Sequence, residues 1–261
     1  RSAFYPLLGV RVWGWIGHLI DVMAVLATMF GLATSLGFGA SQASSGLNFL
    51  FDIPDALNTQ IAIIIGVTFL AILSVMRGLD GGVKVLSNTN MVLAFVLLIF
   101  VIFTGPTLAI LKGFFSTTSD YLSNLIPLSV WTDRPDQDWM HGWTVFYWAW
   151  WVSWSPFVGM FIARISRGRT IREFLIAVLL VPTLVTLIWM SSFGISALEQ
   201  AQNGIGGLAE GINSATASLA TFQMLENLPF NQITTGLGIL LVMVFFVTSS
   251  DSGSLVIDSI T

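Results

Sequence analysis

The sequence predicts an all-α integral membrane protein, and three observations carry that prediction. The 261 residues are 55% hydrophobic and 9% charged, against about 25% charged in an ordinary soluble domain. Apolar stretches recur along the chain between polar intervals, and roughly 20 such residues are enough for a helix to cross a bilayer. One stretch, Gly142 to Phe161 (GWTVFYWAWWVSWSPFVGMF), holds five of the ten tryptophans: Trp143, Trp148, Trp150, Trp151 and Trp154.

Taken in order, six spans are expected, at about residues 15–39, 59–76, 91–111, 143–163, 174–193 and 232–249, within one membrane domain covering 1–261. In the first, Ala27, Gly31, Ser35 and Gly39 repeat every four residues, a small-residue stripe that lets another helix approach closely. His18 and Asp21 near its start are expected at the interface. Ala40 to Asn58 reads as a loop with Asp52, Pro54 and Asp55. The second span is rich in Ile and Val, and Arg77 to Asn90, with Asp80 and Lys84, reads as a compact turn. The third carries Gly105-Pro106 near its end. Residues 112–129 alternate apolar positions (Phe114, Phe115, Tyr121, Leu122) with Ser, Thr and Asp, the pattern of an amphipathic helix lying on the surface. The fifth span contains Pro182, and Gly194 to Asn231 is a polar excursion with Glu199, Glu210 and Glu226.

Net charge is −4, which argues against a nucleic-acid partner. With zero cysteines, disulfides and thiolate metal sites are excluded. The chain starts on Arg1 and ends on SLVIDSIT without a terminating motif, so it is expected to be an excerpt of a longer protein. Lys and Arg fall unevenly between the two sides. Arg1, Arg11, Arg77, Lys84, Arg164, Arg167, Arg169 and Arg172 lie on one, and Lys112 and Arg134 on the other. The basic side is expected in the cytoplasm, with both ends of the chain.

The aromatic stretch carries the functional reading. Trp143, Tyr147, Trp150 or Trp151, and Trp154 follow steps of three and four, so they share one helical stripe. A cation over such rings gains about 0.5–2 kcal/mol per ring when desolvated. A quaternary ammonium suits the arrangement because it has charge but no N–H donor to satisfy. Pro156 has no N–H, so the carbonyl of Val152 loses its helical partner, with Ser153 and Ser155 beside the break. Broken membrane helices are where secondary transporters hold substrates and ions.

Gly142 to Trp151, GWTVFYWAWW, resembles the signature of the betaine/carnitine/choline transporter family, and VSWSPFVGMFIARISRGRTIREF continues the likeness. The resemblance implies a LeuT-type inverted-repeat core, of which this chain would supply six of about twelve helices. It also implies a multi-pass plasma-membrane protein, a small quaternary-ammonium or zwitterionic substrate, and a homotrimer with the surface helix in the contact. Trp151 is then a cage wall, with Trp154, Trp150, Phe146 and Trp148 along the access path. Phe245, Thr248 and Ser249 match positions that ligate sodium as a coupling ion; no other cofactor is implied. A second sodium position would use Phe157 and Thr28, but Leu32 stands where the family has another threonine, which leaves Thr34 or Ser35 to supply an oxygen. Asp251 is a candidate gate residue, paired with an arginine of the 164–172 cluster, or else a solvated acid at a helix end.

The leading function is therefore sodium-coupled uptake of an osmolyte of the betaine, choline or carnitine type. An ion-independent exchanger and a ligand sensor with the same cage are the competing readings. An enzyme is not expected, because His18 and His141 are the only histidines and no nucleophile motif occurs.

Overall fold

The computed structural model describes residues 1–77, 82, 84–130, 132–211 and 217–260, all of it helix and connecting turn with no strand among them. The expected turn residue Asp80 lies outside the described residues, as do the side chains of Arg164 and Glu210. The main helices are α1 (Trp15–Phe51), α2 (Leu57–Met76), α3 (Lys84–Thr104), α4 (Thr107–Ser123), α5 (Phe146–Ile165), α6 (Ile171–Gln202), α7 (Ala220–Glu226) and α8 (Asn231–Ile260).

Among the described residues, α1, α2, α3, α6 and residues Asn231–Ser254 of α8 are long and apolar enough to cross a membrane. Large side chains such as Phe30, Ile65, Phe103 and Leu108 point outward, 64–76% exposed. Such a surface needs a lipid solvent, and the chain is a multi-pass membrane protein. The aromatic helix α5 has the length, 20 residues, but its Trp, Tyr, Ser and Pro content keeps it outside that apolar set.

Helix α8 is the most enclosed of these, packed against α1, α2 and α3. It runs antiparallel to α1 in a seven-residue register: Leu32 meets Gly253, Gly39 meets Phe246, and Gly46 meets Ile239. A Cβ at Gly46 would lie 2.7 Å from both Ile239 and Phe222. Two apolar clusters flank this pair. One joins Ala94, Leu97 and Val101 of α3 with Met224 and Leu225 of α7 and Leu241 of α8. The other joins Ala40, Val67, Ala71, Phe246 and Val247 across α1, α2 and α8.

Several boundaries differ from those expected. α1 does not end near residue 39 but continues through the Ser-rich stretch to Phe51, closed by Asp52 at φ 56°. Ala43, Ser44, Ser45 and Gly46 are buried there, so small polar residues that read as loop serve as close-packing surface. The third span starts earlier and stops at Thr104, because Pro106 cannot continue the helix. Gly105 fits against Val101 and the hydroxyl of Ser196, where a Cβ would be 3.0 Å from that oxygen. The expected surface helix accordingly begins at Thr107, and it turns Ile110 and Gly113 inward, Gly113 lying against Ile195 of α6. A separate short helix, Leu125–Ser129, completes it.

α6 likewise runs on to Gln202, into the expected excursion. Ser192 and Ser196 donate to the carbonyls of Ile188 and Ser192, so both are satisfied inside the helix. Its start is set by a capping box of Thr170 and Glu173, and a π turn at Ile176–Leu180 precedes Pro182. Such a bulge accommodates a proline without breaking the helix.

Candidate functional site

A cleft of about 530 Å³ lies where α1, α5 and α8 meet. It exists because α5 crosses α1 antiparallel along the small-residue stripe. Gly31 receives Trp154, whose Cδ1 would be 2.7 Å from a Cβ there. Ser35 faces Trp150, and Phe38 lies against Phe146 and Trp150 with ring centroids 5.6 and 5.8 Å apart. The stripe that reads as one helix contact therefore serves two, with Gly31 and Ser35 against α5 and Gly39 against α8.

The indoles divide into distinct roles. Trp150 donates its Nε1–H to Ser35 Oγ at 3.0 Å, and Ser35 donates to the Gly31 carbonyl at 3.1 Å. Trp154 stands edge-on to Phe157 at 5.0 Å, with its buried Nε1 lacking a hydrogen-bond partner among the described residues. Trp151 lines the cleft and is 68% exposed. Phe146 does not line the cleft and instead backs the wall through Phe38 and Trp150. Trp148, also exposed, lies off the lining as well. It sits about 100° round the helix from Tyr147, outside the stripe that Tyr147, Trp150, Trp151 and Trp154 present to the cleft.

Phe38, Gln42, Val158, Val242 and Phe246 also line the cleft, and none of them is among the residues expected there. Phe38 is legible as the residue one turn beyond Ser35. The α8 residues are not, because nothing local reveals which helix closes the third side. Among the described residues that line the cleft, none is charged.

The ion-site candidates fall into two unequal groups. Phe245 and Ser249 line the cleft, and Thr248 Oγ1 donates to the Phe245 carbonyl at 3.0 Å. A carbonyl and two hydroxyls thus sit within about one turn of α8, and such hard oxygens suit a hard cation. Thr28 and Phe157 also come together, around a void shared with Leu32, Trp154 and Gly253 that has no room for a water. There Thr28 donates to the Ala24 carbonyl, and Leu32 packs on Gly253. Thr34 donates to the Phe30 carbonyl, Ser35 is held between Gly31 and Trp150, and neither lines that void. That void offers one hydroxyl, Thr28, among apolar neighbours, fewer oxygens than Phe245, Thr248 and Ser249 bring together. The Val152 carbonyl, which Pro156 leaves without a helical N–H partner, accepts from Ser155 Oγ at 2.8 Å.

Asp251 is buried, 1% exposed, rather than a solvated acid at a helix end. Ser74 of α2 lies against it without a well-formed hydrogen bond, and neither carboxylate oxygen has a partner among the described residues. Arg167, Arg169 and Arg172 are exposed and do not bond to it. Among the described residues no three His, Cys, Asp or Glu side chains gather as a metal site.

Comparison with known proteins gives this geometry a family. The family model described as BCCT, betaine/carnitine/choline family transporter, matches residues 1–261. The chain is 59% identical over 262 residues to a glycine betaine/proline/choline/ectoine transporter of Vibrio parahaemolyticus, covering 100% of this chain and 46% of that protein. It is 60% identical over 262 residues to glycine betaine transporter 1 of the same organism, covering 100% of this chain and 50% of that one. It is 46% identical over 259 residues to the glycine betaine transporter OpuD of Bacillus subtilis, covering 98% and 50%. The chain spans about half the length of these curated relatives, which are named as transporters and not as enzymes. With a match along its whole length and an aromatic cleft built from the signature helix, the chain belongs to the betaine/carnitine/choline transporter family.

Proposed function

We propose that the cleft belongs to a secondary transporter that takes up a quaternary-ammonium or zwitterionic osmolyte, of the betaine, choline or carnitine type, by alternating access with sodium as the coupling ion. The observation that supports this most is the lining: the rings of Trp150, Trp151, Trp154 and Phe245 border a cleft with no charged side chain among its described residues. A cation that carries several hydrogen-bond donors would find few acceptors there beyond Gln42 and Ser249. A methylated ammonium has none and gains about 0.5–2 kcal/mol from each desolvated ring it faces. The names of the relatives, which include betaine, choline, proline and ectoine, agree with that chemistry.

One sodium is assigned to Phe245, Thr248 and Ser249, with the remaining ligands coming from the part of the relatives that this chain does not span. Asp251 is assigned to a gate, because a buried carboxylate with no partner among the described residues costs several kcal/mol and calls for a cationic group in the assembled transporter. The basic faces of the loops orient both ends toward the cytoplasm, and α4 is the face offered to a homotrimer.

Uptake of labelled betaine by the full-length transporter in vesicles, with and without an inward sodium gradient, tests the reading. Accumulation driven by the gradient and lost in Trp151→Leu is the expected result. Uptake indifferent to sodium but dependent on internal substrate would make the protein an exchanger, and binding without uptake a sensor.

A further inference from the structure

The cleft is apolar along its walls, yet one carboxamide faces it. Gln42 of α1 is half-buried, lines the cleft, and makes no hydrogen bond among the described residues. The neighbouring polar group behaves differently: the Ser35 hydroxyl is committed to Trp150 and Gly31.

Register fixes where Gln42 stands. Along α1, Thr28, Ser35 and Phe38 meet Phe157, Trp150 and Phe146 in turn, so each step along α1 is a step back along α5. Gln42 lies seven residues past Ser35, about 10 Å along the helix axis. It therefore stands at the Tyr147 and Val242 end of the cleft. Ser249 is seven residues from Val242 on α8 and marks the opposite end, where the ion is assigned. Tyr147 stands 5.6 Å from Trp150, ring to ring, and the two form an aromatic surface beside Gln42's end of the cleft.

We propose that Gln42 is a specificity-determining residue that reads the polar end of the cargo while the ammonium rests on Trp150 and Trp151, with Tyr147 beside them. The inference rests on the ammonium reading of the cleft. A primary carboxamide presents two N–H donors and a carbonyl acceptor from one planar group. It donates to the carboxylate of a betaine, and by turning over it accepts from the hydroxyl of a choline. A charged side chain in its place would favour one cargo and repel the other. An uncommitted amide accommodates both, and an apolar residue would leave either polar end unpaired.

The test uses the full-length transporter with Gln42→Leu and Gln42→Glu, cell-surface amounts measured for each, in a bacterial strain lacking betaine and choline uptake. Labelled betaine and labelled choline are the cargoes, and tetramethylammonium, which has no polar end, is the competitor. Gln42→Leu should raise the KM for betaine about tenfold while moving inhibition by tetramethylammonium about twofold or less. Gln42→Glu should raise the betaine KM over the choline KM by about tenfold, through repulsion of like charges. An unchanged betaine KM in Gln42→Leu, or an equal weakening of tetramethylammonium, would overturn the proposal and leave Gln42 a packing residue. If the wild type takes up its cargo and Trp151→Leu destroys affinity while the Gln42 variants discriminate nothing, this inference alone fails. If the wild type neither binds nor moves any ammonium, the reading of the cleft fails with it.

Discussion

Ser35 and Trp150 join α1 to α5 through a single hydroxyl, which accepts the indole N–H at 3.0 Å and passes its own hydrogen to the Gly31 carbonyl at 3.1 Å. The bond sets the plane of a ring that walls the cleft. Leaving a part-buried indole N–H unpaired costs about 1–3 kcal/mol. Ser35→Ala should therefore raise the KM for betaine about 3- to 10-fold and lower the melting temperature in detergent. Unaltered values of both would show that Trp150 is held by packing alone.

Gly46 tests the register between α1 and α8. A Cβ there would lie 2.7 Å from Ile239 and from Phe222, so Gly46→Ala should destabilise by about 1–3 kcal/mol through overpacking. Gly37 has nothing within 4 Å of its Cβ position, and Gly37→Ala should be neutral or stabilise by about 1 kcal/mol or less through helix propensity. Thermal unfolding of the two variants in one detergent compares them directly. Equal shifts would argue against the antiparallel seven-residue packing.

The two ion-site candidates should respond differently to loss of their hydroxyls. Thr248→Val removes an oxygen beside the Phe245 carbonyl and should raise the sodium concentration for half-maximal uptake about tenfold. Thr28→Val removes a hydroxyl that, among the described residues, bonds to the Ala24 carbonyl alone, and should shift that concentration about twofold or less. Sodium titration of uptake reads both. A large effect from Thr28→Val would place a second ion at Thr28 and Phe157.

Asp55 gives a pH dependence outside the spans. Partial burial opposes its charged form, but hydrogen bonds from Ser44, Ser45 and Gln60 together outweigh that and hold its carboxyl below the usual value of 3.8. Ser45 also meets Ser218, which ties the turn to the segment leading into α7. A carboxyl lowered in the folded state adds stability that is present above the unfolded value and disappears as pH falls through the folded one. Asp55→Asn should melt below the wild type at pH 7, with the gap closing at a pH below about 4. Parallel curves across that range would show that the Asp55 charge takes no part in holding the turn.

Much of the site is legible in the sequence. The aromatic stripe, the small-residue stripe of α1 and the hydroxyl pair of α8 are local patterns, and side chains three or four apart on a helix must share a face. Their partners are less accessible. The Ser-rich stretch after residue 39 reads as loop by composition and is helix because Ile239 and Phe222 press against it. The break at Gly105-Pro106 is visible, yet the way it moves the third span toward the N-terminus and starts α4 at Thr107, with Gly105 seated against Ser196, is not. Ser155 stands next to Pro156 in the sequence, and only geometry shows that its hydroxyl caps the Val152 carbonyl.

By itself the sequence determined a lipid-embedded helical chain and the chemistry of its signature helix, because hydropathy and helical periodicity act within one segment. Tertiary structure decided which indoles wall the cleft, that Gln42 lines it, and that Leu32 packs onto Gly253 beside Thr28. Those outcomes depend on the register between helices far apart in the chain, and register follows from how glycines and rings interlock across an interface.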